Sequence, residues 1–396
     1  MNGEKKIIIK NKAQTAHWPW QSRRSPSLSA ILHFFHFLSF ISSSLSLNPM
    51  DPPPPSSPPS SPPPISKSPS LPWRTRLLVC ISSICGDLAT RPNGTINRRL
   101  FRLFDVKSPA NPVKPIHGVL SFDVIVDSSR NLSVRVFTPS SDAASLPVLI
   151  FFHGGGFAFL SNSSFSYAAV CRRLARRIPA VVLSVDYRLS PEHRFPSQYD
   201  DGFDVLRFLD HENNTVGLLP PSADLSKCFL AGDSAGANLA HHVAVRFCRQ
   251  RSQFQRAKII GLVSIQPFFG GEERTESEIR LDPGYIVSIA RTDWLWKAFL
   301  PEGADRDHAA ANVSGPNAEE ISELEEFPAT VVFVGGFDPL KDWQRRYYDW
   351  LKKSGKKVDL IEFPNMIHAF YLFPEICESS VLINQVREFV SKCMVK

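Results

Sequence analysis

The stretch FLAGDSAGANLAHHV, residues 229–243, joins an apolar run to a helical pattern through a serine that has very small neighbours. Gly232, Ala235 and Gly236 surround Ser234, and residues of this size allow a sharp turn and the close approach of another group. A G-x-S-x-G pattern between a strand and a helix predicts a strained turn that exposes the serine hydroxyl. The partial positive charge at the start of the helix would stabilise a developing oxyanion. The alternative interpretation is a glycine-flanked connection without chemistry.

Apolar strands and helical stretches alternate on both sides of this turn. Continuous apolar strands between helices indicate an α/β fold with a mostly parallel central sheet and helices on both of its faces. The predicted strands of this sheet are residues 147–152, 180–187, 228–232, 259–265, 330–336 and 358–363. The predicted helices are residues 166–177, 200–212, 235–250, 341–353 and 379–392. Residues 121–127 and 132–139 are predicted to be paired strands, and residues 270–327 interrupt the alternation, which predicts an inserted cap.

The N-terminal part of the chain differs in composition from the rest. Residues 1–49 combine a basic, serine-containing lead with a short apolar run, as signal, transit and anchor segments do. Residues 50–70 are rich in proline and serine and predict a disordered linker, because such a tract cannot pack a core. We interpret residues 1–49 as an extension upstream of Met50 that lies outside the fold. We therefore expect a cytoplasmic protein without stable membrane insertion, the alternative being targeting by residues 1–49.

From residue 71 onward the sequence is typical of one globular domain, residues 71–396. Its first segment, residues 73–87, has apolar residues at helical spacing, which predicts a helix with one packed face. The residues expected on that face are Leu77, Leu78, Cys80, Ile81 and Ile84.

Charge and cysteine content exclude several classes of function. The formal net charge is +7, but residues 1–70 carry +5 of it, which leaves the remaining chain nearly neutral at +2. A nearly neutral body gives no electrostatic reason to expect nucleic acid as a partner. The seven cysteines are odd in number and lack CxxC or Cys/His ligand spacing, which favours reduced thiols over disulfides or a zinc site. We expect no metal and no other cofactor.

A nucleophilic serine needs a base, and the base needs an acid that orients it. In this architecture the acid and then the histidine follow the serine along the chain. Asp338 comes directly after the predicted strand 330–336, at the sheet edge where ligands bind, and His368 is the single histidine beyond it. Asp342 is a rival acid, which we expect inside the following helix. The interpretations without chemistry are a helix N-cap for Asp338 and a packing histidine for His368.

The loop after strand 147–152 carries an HGGG motif. Consecutive glycines leave their N–H groups free, and we expect Gly155 and Gly156, together with Ala235, to donate hydrogen bonds to an oxyanion. His153 and Gly154 are predicted to support the loop, with His153 acting through hydrogen bonds. A phosphate-binding loop is disfavoured, because the patterns G-x-G-x-x-G and G-x-x-x-x-G-K are absent.

Over residues 73–396 the sequence resembles the plant carboxylesterase family, in the hormone-sensitive-lipase-like branch of the α/β-hydrolases. The motifs that carry this resemblance are HGGGFAF (153–159), DYRLSPEHRFP (186–196), GDSAGANLAH (232–241), QPFFGGEERTESE (266–278), GFDPLKDWQ (336–344) and FPNMIHAFY (363–371). The resemblance implies an α/β-hydrolase fold with a lid helix in residues 71–90 over the mouth of the active site. It also implies that Ser234, Asp338 and His368 form a catalytic triad.

Many of these motifs are also similar to those of the gibberellin receptors, which share the fold. The receptors resemble esterases in which the triad histidine has become aliphatic and the last glycine of HGGG has become serine. This sequence keeps both His368 and Gly156, so the resemblance implies that the chemistry is intact.

The predicted function is that of a serine carboxylesterase acting on small-molecule esters, with activity rising through about pH 6–7 as the histidine becomes neutral. One alternative is a gibberellin-receptor-like binding protein, and another is a dehydratase related to the same family. The expected apolar pocket would be lined by Phe157, Phe159, Phe268, Trp294, Phe370 and Tyr371.

Overall fold

A nine-stranded sheet forms the centre of the residues that the computed structural model describes, which are 68–141, 143–215 and 218–395. The strands are β1 (Asn111–Ile116), β2 (Val119–Asp127), β3 (Leu132–Pro139), β4 (Leu146–Phe152), β5 (Val181–Asp186), β6 (Ala223–Asp233), β7 (Ile259–Ile265), β8 (Ala329–Phe337) and β9 (Val358–Ile367). They lie in the order β1-β2-β3-β5-β4-β6-β7-β8-β9. Strands β4 to β9 are parallel, and β1 to β3 form an antiparallel edge that pairs with β5. The mostly parallel sheet predicted from the sequence is thus confirmed.

Helices cover both faces of this sheet. In the described residues they are α1 (Trp73–Ala89), α2 (Arg98–Phe104), α3 (Phe165–Arg177), α4 (Ser197–Asp210), α5 (Glu212–Thr215), α6 (Ala235–Arg249), α7 (Glu276–Arg280), α8 (Ile289–Phe299), α9 (Lys341–Lys353) and α10 (Cys377–Met394). Every residue of β4 is buried, because Ile150 and Phe152 pack with α4, α6 and α9 while Leu149 and Phe151 pack with α3 and α10. Successive side chains of a strand point to opposite faces, so a strand covered on both faces has to be apolar throughout. None of the helices in the described ranges is both long and apolar enough to span a lipid bilayer.

Five elements and the start of one strand were not predicted, the elements being β1, α2, α5 and the two helices of the cap segment, α7 and α8. The edge strand β1 contains Pro112 and Pro115 and is largely exposed, so it shows no apolar alternation. The short helix α2 was also missed. Strand β6 begins at Ala223, whereas the sequence predicted a start at residue 228. The polar first half of the strand also pairs with β4, and the register of the two strands shifts after Pro147. Backbone pairing therefore extends this strand beyond its apolar part.

The packed part of the chain begins before the predicted boundary at residue 71. Pro69 is buried, and its carbonyl accepts a hydrogen bond from the guanidinium of Arg76 at 3.5 Å. The end of the predicted linker, residues 50–70, therefore belongs to the fold. The predictions for residues 1–67 lie outside the described residues.

Helix α1 packs through a face that differs from the predicted one. Its buried residues are Thr75, Val79, Cys85 and Ala89. Cys80 and Ile84, which were expected on the packed face, are exposed. The Thr75 hydroxyl donates a hydrogen bond of 2.7 Å to Glu375, so a polar contact to a distant loop helps to decide which face is buried.

The segment 270–327 lies between β7 and β8 and carries α7 and α8. It is joined to α1 by polar contacts. The guanidinium of Arg291 on α8 donates two hydrogen bonds of 2.7 Å to the carboxylate of Asp87, and the Ser83 hydroxyl donates one of 2.5 Å to the carbonyl of Tyr285. The first helix of the domain is therefore attached to the segment predicted to be a cap.

Candidate active site

Four parallel strands end at one edge of the sheet, and each is followed by a residue that the sequence singled out. The strand ends and the residues that follow them are Phe152 and His153 for β4, Asp233 and Ser234 for β6, Phe337 and Asp338 for β8, and Ile367 and His368 for β9. In open α/β sheets the crevice outside the carboxyl ends of the strands is where ligands bind. The topology thus brings these four residues to the edge at which a site is expected.

Ser234 occupies the strained turn between β6 and α6. Its φ of +52° and ψ of −120° lie outside the usual regions for a residue with a side chain, at a cost of about 1–3 kcal/mol. Two backbone hydrogen bonds of 2.9 Å hold the turn, from the Ser234 N–H to the Ile265 carbonyl and from the Phe268 N–H to the Ser234 carbonyl. The side chain remains partly exposed, as a nucleophile requires.

Gly236 is required where the turn approaches strand β4. A Cβ atom at this position would lie 2.7 Å from the carbonyl oxygen of His153 and even closer to the carbonyl of Phe152. Any side chain would therefore force α6 away from the HGGG loop. The second glycine of G-x-S-x-G thus keeps the loop beside the turn of Ser234.

Asp338 and His368 form a buried hydrogen-bonded pair. His368 Nδ1 lies 2.6 Å from Asp338 Oδ2, and since a carboxylate only accepts, the imidazole donates its Nδ1 proton. Burial lowers the pKa of His368, but the charge and hydrogen bond of Asp338 and the charge of Asp233 outweigh burial, so the pKa lies above its ordinary value. This tautomer leaves Nε2 free to accept a proton.

The rival acid, Asp342, lies in the first turn of α9. Its carboxylate accepts a hydrogen bond of 2.7 Å from the backbone N–H of Ser277 and so joins α9 to α7. The structure brings Asp338, and not Asp342, into contact with His368.

Asp233 connects the serine turn to the HGGG loop, and sequence reasoning missed it. Its Oδ1 accepts a hydrogen bond of 2.8 Å from the Gly154 N–H, and its Oδ2 accepts one of 2.9 Å from the Tyr167 hydroxyl. Burial raises the pKa of Asp233 to about 6, against the effect of these hydrogen bonds. The available signal was an acidic residue directly after the apolar run 228–232 and next to Ser234.

The glycines of the loop have conformations that suit them to bind an oxyanion. Gly155 and Gly156 have φ values of +99° and +62°, and a side chain at Gly155 would overlap the backbone carbonyl of Phe159. None of the hydrogen bonds found between described residues uses the N–H groups of Gly155, Gly156 or Ala235. These three donors are therefore available to an acceptor from outside the chain.

His153 lies beneath the same loop and is fully buried. Its Nδ1 is 2.8 Å from the Gly154 carbonyl oxygen, its ring stacks on Tyr187 at 4.3 Å, and its own carbonyl accepts a hydrogen bond of 2.6 Å from the Tyr187 hydroxyl. Burial lowers the pKa of His153 to about 4, so the ring is neutral at physiological pH. His153 therefore packs without charge.

The expected aromatic pocket is only partly present. Phe157 stacks on Phe299, and Phe268 stacks on Trp296, inside the core, and Phe370 and Tyr371 are also buried. Four of the six expected lining residues thus belong to the core. Phe159 and Trp294 are half-buried and, with Phe101 and Leu295, surround Ala89, Ile96 and Ala158. We call these seven residues the mouth cluster.

The mouth cluster adjoins the HGGG loop through Leu295 of α8. A Cβ atom at Gly156 would lie only 3.0 Å from Leu295 Cγ, so the leucine packs against this glycine. The apolar surface nearest to the loop therefore comes from α8 and the N-terminal helices, and not from the predicted core aromatics.

Other nucleophiles and metal ligands are not assembled in the part of the chain that the structure describes. It contains no group of three or more His, Cys, Asp or Glu side chains placed to hold a metal ion. The seven cysteines are free thiols, and burial raises the pKa of Cys171 to about 12 and so keeps its thiol protonated. Ser234 is the candidate nucleophile that the fold places at the carboxyl edge of the sheet.

Comparison with known proteins places this fold and site in one class. A model of the alpha/beta hydrolase fold family matches residues 149–372. Gibberellin receptor GID1C of Arabidopsis thaliana is 40% identical over 335 residues, 81% of this chain and 94% of the receptor. The 3-O-acetylpapaveroxine carboxylesterase CXE1 of Papaver somniferum is 36% identical over 252 residues, 60% of this chain and 78% of the enzyme. The solved structure of a Pyrobaculum calidifontis esterase has a TM-score of 0.60 at 29% identity, covering 71% of this chain and 88% of the esterase.

The strained serine turn on a mostly parallel sheet defines an α/β-hydrolase. Within that class the chain belongs to the plant carboxylesterase family, in the hormone-sensitive-lipase-like branch to which the gibberellin receptors are related.

Proposed function

We propose that this protein is a serine carboxylesterase that hydrolyses small or medium carboxylic esters, with Ser234, Asp338 and His368 as its catalytic triad. The observation that carries the proposal is the 2.6 Å hydrogen bond between His368 and the buried Asp338, at the sheet edge where Ser234 turns. A serine becomes a nucleophile when a base takes its proton and an acid holds that base in the working tautomer.

The proposed reaction is a two-step acyl transfer. His368 Nε2 accepts the Ser234 proton while the serine oxygen attacks the ester carbonyl, and the carbonyl π electrons move onto oxygen. The N–H groups of Gly155, Gly156 and Ala235 donate hydrogen bonds to that oxyanion. Collapse of the intermediate breaks the bond to the alcohol, which leaves with the proton from His368. Water then attacks the acyl-enzyme by the same route and releases the acid and Ser234.

The surroundings of the loop support an ester with an apolar part. Leu295, Phe159 and Trp294 of the mouth cluster present aliphatic and aromatic surface beside the glycines. Such surface favours acyl or alcohol groups without charge. The reaction as written uses side chains, backbone donors and water, and needs no cofactor.

A small-molecule receptor is the second candidate, because the chain is 40% identical to a gibberellin receptor along 81% of its length. The presence of His368 beside Asp338 favours the esterase, since a receptor needs no proton-transfer pair. Turnover separates the two. Binding of a gibberellin that raises the melting temperature, without hydrolysis of any ester offered, would replace the first proposal by the second.

The direct test is hydrolysis of p-nitrophenyl acetate by the wild-type chain and by Ser234→Ala. We expect kcat to fall by about 10⁴ or more, because the nucleophile has no substitute. An organophosphate should label Ser234 alone, as read by mass spectrometry of the peptides. A loss smaller than about tenfold would contradict the assignment of the nucleophile.

The assignment of the acid is tested by a matched pair of variants. Asp338→Asn removes the charge that holds His368 and should lower kcat by about 10⁴. Asp342→Asn makes the same chemical change one helical turn away and should alter kcat by less than about threefold, because its carboxylate contacts Ser277. The reverse order of effects would show that Asp342 is the acid.

A further inference from the structure

Gln266 is a buried polar residue that follows β7 and has no part in the reaction as written above. It is 1% exposed, and its φ of +44° is unusual for a residue with a side chain. A backbone hydrogen bond of 2.9 Å from its N–H to the Phe333 carbonyl holds this conformation. A polar side chain that is buried in a strained backbone conformation needs hydrogen bonds that offset the free-energy cost of its burial.

Both the nitrogen and the oxygen of the Gln266 side-chain amide form hydrogen bonds within the protein. Its Nε2 donates to Asp338 Oδ2 and to the Ile367 carbonyl, each at 3.1 Å. Its Oε1 accepts a hydrogen bond of 2.8 Å from the N–H of Ala369. An amide offers two N–H donors and one carbonyl acceptor, so both donors are used. The carboxylate and the carbonyl can only accept, which sets the orientation of the amide.

All three partners of the Gln266 amide adjoin His368, two of them along the chain and one through its ring. Ile367 and Ala369 are its two neighbours along the backbone, and Asp338 holds its ring through Nδ1. One rigid amide plane therefore connects the acid to the backbone on both sides of the base. No other natural side chain of this length offers two donors and an acceptor in this arrangement.

Gln344 on α9 provides a natural comparison. It is also fully buried and donates to Asp338 Oδ2, at 2.8 Å, but it has no hydrogen bond to the backbone around His368. In the described residues its Oε1 is buried without a hydrogen-bond partner. Gln344 therefore supports the acid alone, whereas Gln266 contacts the acid and the segment that carries the base.

We propose that Gln266 is a positioning residue of the esterase site, whose amide fixes Asp338 and the backbone on both sides of His368 as one unit. The inference rests on the proposed function, since it assigns a role toward the base of that reaction. Displacement of a reacting group by about 1 Å can reduce a rate about 10²-fold. Loss of the amide should therefore slow the chemical step more than it weakens substrate binding.

The test compares Gln266→Leu with Gln344→Leu in the full chain, using p-nitrophenyl acetate across a range of pH. Each variant removes one hydrogen-bond donor to Asp338 Oδ2. The negative charge of this carboxylate is then less neutralised and stabilises the imidazolium more strongly, so each variant should raise the apparent pKa of His368 seen in the pH profile of kcat. Gln266→Leu should lower the plateau kcat by about 10²-fold, with KM changed less than about threefold. Gln344→Leu should lower the plateau kcat by less, because it leaves the contacts to the backbone around His368 in place. Thermal melts verify that both variants are folded.

Equal plateau kcat values for the two leucine variants would overturn the inference, because the contacts to Ile367 and Ala369 would then have no effect on catalysis. Should Gln266→Leu not fold, Gln266→Met keeps the unbranched shape of the side chain but offers neither N–H donor nor amide oxygen, and its plateau kcat should also fall below that of Gln344→Leu. Failure of the proposed function itself looks different, since the wild-type chain would then show no hydrolysis that depends on Ser234.

Discussion

Ser234 shares its turn with Asp233, a carboxylate that is almost inaccessible to water. Asp233 is 3% exposed, and burial raises its pKa to about 6. This carboxylate accepts hydrogen bonds from the Gly154 N–H and the Tyr167 hydroxyl, which hold the HGGG loop against the serine turn and offset part of the cost of its burial. Above pH 6 its charge also contributes to the raised pKa of His368.

The first prediction at the scale of the residue concerns pH. A raised pKa of His368 means that the neutral base appears only as the pH rises above the ordinary value of 6.5, so kcat should increase through a limb that lies above this value. Asp233→Asn removes a negative charge that favours the imidazolium, so the limb should move to lower pH. The measurement is kcat for p-nitrophenyl acetate from pH 5 to 9, sampled at about five pH values on each limb of the profile.

Asp342→Asn is the control for this shift, because Asp342 is not among the charges that act on His368. Its limb should coincide with that of the wild-type chain. A limb that stays in place in Asp233→Asn, or moves to higher pH, would show that Asp233 does not act on the base through its charge.

At the scale of the element, α1 and α8 together cover the apolar surface next to the HGGG loop. Ala89 at the end of α1 is fully buried in the mouth cluster, and Asp87 is joined to Arg291 of α8 by two hydrogen bonds. The guanidinium of Arg98 on α2 donates hydrogen bonds to the carbonyls of Ala158 and Ser190, the latter at 2.7 Å. The N-terminal helices are therefore packed against the HGGG loop and the residues that follow it.

Removal of residues 1–89 should weaken the binding of large esters more than it affects the hydrolysis of small ones. The shortened chain loses α1 and uncovers Ala158 and Trp294, so binding of esters with long or aromatic groups should weaken, seen as a higher KM. Hydrolysis of p-nitrophenyl acetate should change less, because the triad and the oxyanion donors remain. Parallel kinetics on acetate and octanoate esters test this expectation. Equal losses on both esters would mean that α1 supports the catalytic residues themselves.

At the scale of the whole molecule, the topology of the sheet brings together residues that no single strand or helix contains. Strands β4, β6, β8 and β9 are far apart in the sequence, yet parallel pairing brings their carboxyl ends to one edge. His368, Asp338, Ser234 and the HGGG loop each follow a strand at that edge.

Removal of residues 1–67 is the prediction that belongs to this scale. They combine a basic lead, a short apolar run and a proline- and serine-rich tract, and we expect none of these to bury enough surface against the domain to matter to its fold. The chain that begins at Ser68 should therefore melt at the same temperature as the full chain. Its kcat/KM for p-nitrophenyl acetate should also be unchanged. The boundary is placed before Pro69 because this residue is buried. A large loss of stability or activity would show that the N-terminal residues are part of the enzyme.

Strands β2 to β9, the helices α3, α4, α6, α9 and α10, and the strand-end positions of Ser234, Asp338 and His368 could be predicted, because they depend on local patterns. Apolar runs and small residues around a turn report directly on burial and backbone shape within about ten residues. The order of serine, acid and histidine left a single histidine for the base. Local patterns misled for α1, whose buried face is set by contacts with the rest of the fold, among them the bond from Thr75 to Glu375.

By itself the sequence determined the class of fold, the family and the candidate triad of this protein. Only the tertiary structure decided that Asp233 holds the HGGG loop and that Gln266 connects Asp338 to the backbone on both sides of His368. The partners of the Gln266 amide are 72 to 103 residues away along the chain, and nothing in the period or composition of a segment encodes such a contact. A buried polar group finds its partners through packing of the whole sheet, because burial without a hydrogen bond is too costly.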